Sequence, residues 1–434
     1  MKFYSTNNRS LRADVREAVT QGLAPDNGLY MPEAIPALPA DFFRKIGSLS
    51  LQEIATTVAH NLLAGSIPDE ELDRIVKHTM SFEAPVVKVE DNVYALELFH
   101  GPTMAFKDFG ARFMSQLLGY FARQQEREIV ILVATSGDTG SAVANGFLDV
   151  PGTRVVVLYP SGKVSDIQEK QFTTLGSNIT ALEVEGTFDD CQRLVKTAFL
   201  DADLKKQFFL TSANSINIAR LIPQSFYFFH AYAKLAALGK PVICCVPSGN
   251  FGNITGGLLA QRMGLPISHF VAATNINDVV PEFLRTHELK PRPSEATISN
   301  AMDVGSPSNI VRMIDLFDGD ISALEKAVTG YSFTDAETQD AMRAVYRDTG
   351  YVMDPHGAVG YLGLKKYMRE VRPDVTGVFL ETAHPAKFKE VVEDTLGKQI
   401  KIPPTLQKFL NRSKQTREMS AEFSDFKKFL STEF

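Results

Sequence analysis

The sequence predicts an α/β protein of two lobes with a mainly helical N-terminal segment. Three observations lead there. From about Val87 onward, short β-branched runs alternate with helical stretches, and strands separated by ten or more helical residues signal βαβ units and parallel sheet. The 434 residues exceed one ordinary domain and suffice for a large core with a cleft between lobes. Composition is that of a globular chain, with 44% hydrophobic residues and 45 Lys plus Arg against 51 Asp plus Glu, a formal charge of −6.

Up to about residue 95 the pattern reads as helix. Leu11, Val15 and Val19 recur at helical spacing until Gly22 and the Pro25-Asp26-Asn27-Gly28 turn interrupt them. A capping box, Ser50 with Glu53, opens a second helix carrying Ile54, Val58 and Leu62, with Gly65 as its stop. Pro68 opens a third, striped by Leu72, Ile75 and Val76. Strands are then expected at 129–134, 155–159, 179–184, 208–211, 242–246, 270–274 and 378–380. Phe423, Phe426 and Leu430 mark a terminal helix. The expected division is a mainly helical domain at 1–95, a two-lobed α/β core at 96–396 with its smaller lobe roughly at 120–240, and a helical tail at 397–434.

Several functions are excluded or disfavoured. An acidic balance argues against a nucleic-acid partner. No run approaches the ~18 apolar residues of a membrane-spanning helix, and the first residues carry no secretory signal. The three cysteines, two of them adjacent, imply no disulfide framework, so a cytoplasmic location is expected. There is no G-x-G-x-x-G, no G-x-x-x-x-G-K-[ST] and no G-x-S-x-G. Neither H-E-x-x-H nor C-x-x-C occurs, and no metal site is expected.

Parallel sheets bind ligands at the carboxyl ends of their strands, so the chemistry is expected in the loops there. After the run at 242–246, Pro247-Ser248-Gly249-Asn250-Phe251-Gly252-Asn253 leads into a helix. Its glycines let backbone amides converge on an anion at a helix N-terminus, or serve only close packing. Thr135-Ser136-Gly137-Asp138-Thr139-Gly140 repeats the pattern, with hydroxyls suited to a carboxylate or to helix capping. Lys107 lies between Phe106 and Phe109. An apolar setting makes it a nucleophilic amine; in the plainer reading it is a solvated charge or pairs with Asp108. Lys163, with Ser212, Asn214, Ser215, Asn217 and Arg220, resembles a second anion site, although Asn and Ser at a helix start are also caps. Thr382 ends the run at 378–380 and faces the same rim. A lysine nucleophile, an anion cup, a carboxylate cup and a neutral hydroxyl together suit a pyridoxal-phosphate enzyme.

The segments LELFHGPTMAFKDFGARFM, ATSGDTGSAV, YPSGKVSDIQEKQF, SANSINIARL, PSGNFGNITGGLLA, AATNIND, DPHGAVG and ETAHPAKF, together with GLAPDNGLYMP near the start, closely resemble the threonine synthases. The resemblance covers nearly the whole chain. It implies fold type II of the pyridoxal-phosphate enzymes, the tryptophan synthase β-like architecture, with the site between two α/β lobes. Lys107 then carries pyridoxal 5'-phosphate as a Schiff base and serves as base on the α-proton. Gly249, Asn250, Phe251, Gly252 and Asn253 wrap the cofactor phosphate, and Thr382 meets the pyridine nitrogen. Ser136, Gly137 and Thr139 hold the substrate carboxylate, while Asp138 lies near the cofactor hydroxyl. Many relatives have Asn at that place, and an ionised carboxylate cannot donate a hydrogen bond. Lys163, Ser212, Asn214 and Asn217 are the candidates for a substrate phosphate, with Arg220 behind them. The implied reaction converts O-phospho-L-homoserine and water to L-threonine and inorganic phosphate by γ-elimination and β-addition, the last step of threonine biosynthesis. A monomer or homodimer is expected. Plant members add an N-terminal regulatory extension; none is expected ahead of MKFYST. The alternatives are a β-eliminating dehydratase, which needs no second anion site, and a non-catalytic binding protein.

Overall fold

The computed structural model describes residues 1–124 and 127–433. At the N-terminus, β1 (Lys2–Ser5) pairs antiparallel with β2 (Arg12–Asp14) and β3 (Tyr30–Pro32). This small sheet corrects the expectation of helix from Leu11. The helix starts only at Val15, where the Asp14 carboxylate accepts the Glu17 N–H at 2.9 Å. The two following helices are Leu51–Leu63 and Asp69–Thr79. The capping box is formed, with the Ser50 N–H donating to Glu53 at 2.8 Å and the Glu53 N–H to Ser50 Oγ at 3.2 Å.

Two sheets make the lobes. The larger contains β4 (Val86–Glu90), β5 (Val93–Glu97), β10 (Val242–Pro247), β11 (Ile267–Thr274), β12 (Val328–Ser332) and β13 (Thr376–Glu381), in the order β12-β11-β10-β13-β5-β4. All its pairings are parallel except β4 on β5. The smaller contains β6 (Ile129–Ala134), β7 (Thr153–Pro160), β8 (Ile179–Glu185), β9 (Phe209–Ser212) and β14 (Arg417–Ser420), all parallel, in the order β14-β8-β7-β6-β9. Every residue of β6, β10 and β13 is buried. Helices cover both faces of such strands, which therefore read as continuous apolar runs.

Three features cut across the expected division. Strands β4 and β5 belong to the large lobe, so that lobe begins before residue 96. The sheet of the small lobe spans 129–212 and is completed from far away. The tail is not only helical: β14 precedes the helix Phe423–Glu433, which buries Phe426 and Leu430 as its spacing implied. Among the described residues no helix is long and apolar enough to cross a membrane.

Candidate active site

The helix Lys107–Ala122 begins at Lys107, and the turn before it is tied to the end of β13. The Phe106 N–H donates to the Thr382 carbonyl at 2.8 Å and the His384 N–H to the Met104 carbonyl at 3.0 Å. The lysine turn and Thr382 are thereby held side by side. The Lys107 amine lies 4.5 Å from the centre of the Phe106 ring and has no hydrogen bond or ion pair among the described residues. Burial first, and then the positive charge of Arg220, lower its pKa to about 8 against the opposite pull of Asp138. Asp108 does not pair with it. That carboxylate accepts from the Thr103 N–H at 2.9 Å and the Thr103 hydroxyl at 2.7 Å. Gly101 permits this closeness, since a Cβ there would sit 2.4 Å from Asp108 Oδ2.

The loop after β10 turns at Phe251, which takes a left-handed conformation, and the helix Gly252–Arg262 follows. Gly249 lies against the backbone of 301–302, and Gly252 lies beside Asn309 and Ser215. The two asparagine side chains shape the loop internally. Asn253 Nδ2 donates to the Pro247 carbonyl at 2.8 Å, while its Oδ1 accepts from Ser248 Oγ at 3.0 Å. Asn250 bonds Ser215 Oγ and the Ser308 N–H. What this loop offers an anion is its backbone amides at the helix N-terminus.

The loop after β6 holds Ser136, Gly137, Asp138 and Thr139, with the helix Asp138–Phe147 starting inside it. Thr135, expected among the ligand hydroxyls, instead accepts from the N–H groups of Gly137 at 2.9 Å and Gly140 at 2.8 Å. Ser136 and Thr139 are half-buried, and their hydroxyls have no hydrogen-bond partner among the described residues. Gly137 has φ of 143°, a conformation that favours glycine. Asp138 is buried, accepting from Gln168 Nε2 at 2.8 Å and pairing with Lys387 Nζ at 2.7 Å. Burial raises its pKa, but the Lys387 ammonium and Gln168 outweigh that and leave it below the usual carboxylate value.

The expected second anion site comes together in part. Ser212 and Asn214 stand at the end of β9, where the Asn214 side chain donates to the Ala134 carbonyl at 3.1 Å. Arg220 is buried and faces Lys107; its Nη1 bonds the Ala213 carbonyl, and its Nε has no partner. Asn217 is different. Its amide donates to the Val19 carbonyl at 2.9 Å and the Ser212 carbonyl at 3.3 Å, and its oxygen caps Ala219, which leaves no donor for a ligand. Lys163 lies exposed in the turn after β7, and its amine has no polar partner among the described residues.

Residues that sequence reasoning missed support these loops. Asn309 Nδ2 donates to the Asn250 carbonyl at 3.0 Å. Arg312, fully buried, bonds Asn309 Oδ1 at 2.8 Å and the carbonyls of Tyr30, Ser215 and Ile216. Behind Thr382, Glu381 is buried beside Asp354. Burial and the Asp354 charge push its carboxyl well above the ordinary range. His356 Nδ1 lies 2.6 Å from Asp354, and its Nε2 accepts the Ala301 N–H at 3.2 Å, which assigns the proton to Nδ1.

Three family models match in succession: "Threonine synthase N terminus" over 2–80, "Pyridoxal-phosphate dependent enzyme" over 78–382 and "Threonine synthase, C-terminal" over 357–430. The chain is 45% identical to threonine synthase of Haemophilus influenzae over 99% of both chains. The crystal structure of threonine synthase from Escherichia coli is 42% identical, covers 100% of each chain and superposes with a TM-score of 0.93. Pyridoxal-phosphate-bound threonine synthase from Brucella melitensis is 33% identical, covers 99% of this chain and 98% of its own, and gives a TM-score of 0.92.

Proposed function

The chain belongs to the threonine synthase family, and from that membership we infer that it converts O-phospho-L-homoserine and water to L-threonine and inorganic phosphate with pyridoxal 5'-phosphate. The observation that carries this reading is the isolated amine of Lys107, held beside Thr382. The residues present fit the cofactor. An amine kept partly neutral suits its aldehyde, and the loop 247–252 offers a glycine cradle for its phosphate, where a Cβ at Gly249 would meet backbone. When bound, pyridoxal phosphate supplies an aldehyde for the amine and a ring that accepts the electrons released at the substrate carbons.

Lys107 Nζ would hold the cofactor aldehyde and, once released, would serve as the base toward the substrate α-proton. Amides of Gly249, Asn250, Phe251, Gly252 and Asn253 would hold the cofactor phosphate, and the Thr382 hydroxyl would meet the ring nitrogen. Ser136, Gly137 and Thr139 orient the substrate carboxylate. Arg220, buried with a spare N–H, leads the set for the substrate phosphate, with Ser212 and Asn214 beside it and exposed Lys163 at the rim. Asn217 supports that loop rather than the ligand. A second anion site favours this reaction over a β-eliminating dehydratase. We place the enzyme in the cytoplasm as a monomer or homodimer, with three buried thiols that suit a reducing compartment.

Borohydride reduction of the loaded enzyme followed by peptide mapping is expected to leave the pyridoxyl group on the Lys107 peptide. A tag on another lysine, or phosphohomoserine consumed without threonine appearing, overturns the assignment.

A further inference from the structure

Lys387 is the least expected group near the site. Its side chain is fully buried, and it lies on the turn Pro385–Phe388 beyond β13, in the large lobe. Its ammonium reaches two partners. It pairs with Asp138 of the small lobe at 2.7 Å and donates to the Thr103 carbonyl, in the lysine turn, at 2.8 Å. Gln171, from the small lobe, donates to the same carbonyl at 3.0 Å. Asp138 in turn accepts from Gln168 at 2.8 Å. A lone buried charge of either sign is costly, but a pair with its remaining sites hydrogen-bonded is tolerated. Asp108, His356 and His384 are the other titratable groups that act on this pair, and Arg220 and Asp138 act on Lys107.

We propose that Lys387 is a positioning residue of the active site: its ammonium pairs with the Asp138 carboxylate, and the pair fixes the 136–139 loop against the lysine turn and tempers the pull of that carboxylate on Lys107. The proposal rests on the reading of Lys107 as the cofactor lysine. Asp138 acts on the Lys107 amine; its pairing with Lys387 opposes that pull, whereas either member alone acts unopposed.

That asymmetry provides the test. The cofactor-free full-length chain is trace-labelled with acetic anhydride across the alkaline range, and acetylation of Lys107 is followed by peptide mass spectrometry. Lys387→Met leaves a bare carboxylate and moves the Lys107 inflection up by about one pH unit. Asp138→Asn leaves a bare ammonium and moves it down by about as much. The double variant returns to the wild-type inflection and recovers the urea midpoint lost by each single change. A general loosening of the fold would move both singles in one direction and leave the double worst of all. Either that pattern or two unmoved inflections overturns the proposal. If Lys387→Met does not fold, Lys387→Gln must give the same upward sign, and a downward or absent movement is equally fatal. Borohydride mapping that finds the cofactor on another lysine would overturn the site assignment instead, while the labelling pattern at Lys107 is still decided by itself.

Discussion

Replacing Gly249 by Ala places a methyl carbon 2.7 Å from the Ala301 carbonyl oxygen and 2.8 Å from Met302 Cα. Both neighbours are backbone, and the Ala301 N–H beside them is held in turn by His356, so neither yields easily. Reaching an ordinary 3.4 Å contact requires about 0.7 Å of loop movement, and overpacking of this kind costs roughly 1–3 kcal/mol. If that strain is relieved only by distorting the amides that bind the cofactor phosphate, cofactor affinity falls about 5- to 150-fold. Gly252→Ala is the contrast. Its methyl would lie 3.4 Å from Asn309 Nδ2 and from Ser215 Cβ, an ordinary contact, so affinity stays within about threefold. Gly252→Asp adds a carboxylate to a phosphate cup and is expected to lose the cofactor. Equilibrium dialysis of pyridoxal phosphate against the stripped proteins measures all three, with urea midpoints in parallel. Wild-type affinity in Gly249→Ala, together with loss in Gly252→Ala, would refute the placement of the loop.

Three further outcomes are expected. The rate at which the stripped chain captures pyridoxal phosphate rises about tenfold per pH unit below the Lys107 pKa and levels above about 8; a rate still climbing at pH 10 contradicts the lowered value, because deprotonation makes the amine reactive and stops mattering once complete. Arg220→Met raises the KM for phosphohomoserine by on the order of 10- to 150-fold through loss of a charged hydrogen bond, while cofactor affinity stays near wild type; an unchanged KM in steady-state assays removes Arg220 from the phosphate set. His356→Leu leaves the Ala301 N–H without its acceptor and lowers stability by about 1–3 kcal/mol, and His356→Gln recovers part of it in urea titrations; equal losses in the two variants would deny the hydrogen bond its role.

The buried parallel strands were legible because they are apolar throughout, and the loops that follow β6 and β10 because glycines and hydroxyls cluster there. The short strands were not. β1, β2 and β3 carry too few residues for a period of two to emerge, and β12 and β14 owe their pairing to partners rather than to pattern. The candidate site followed the same rule. Lys107 stood out through its aromatic and glycine neighbours. Lys387, whose nearest partners are Asp138 and Thr103, looks like any surface lysine until the two lobes are assembled. Asn217 misled for the converse reason: a cap facing a strand end has the same spelling whether its amide points to ligand or to Val19.

The pairing of β14 with β8 joins Arg417–Ser420 to Leu182–Glu185. During translation the small lobe therefore waits, one edge uncovered, until more than two hundred further residues have left the ribosome. A nascent chain stalled before that point carries an open β8 edge, a ready template for another molecule, so a damaged message ending early should yield aggregates rather than a trimmed enzyme.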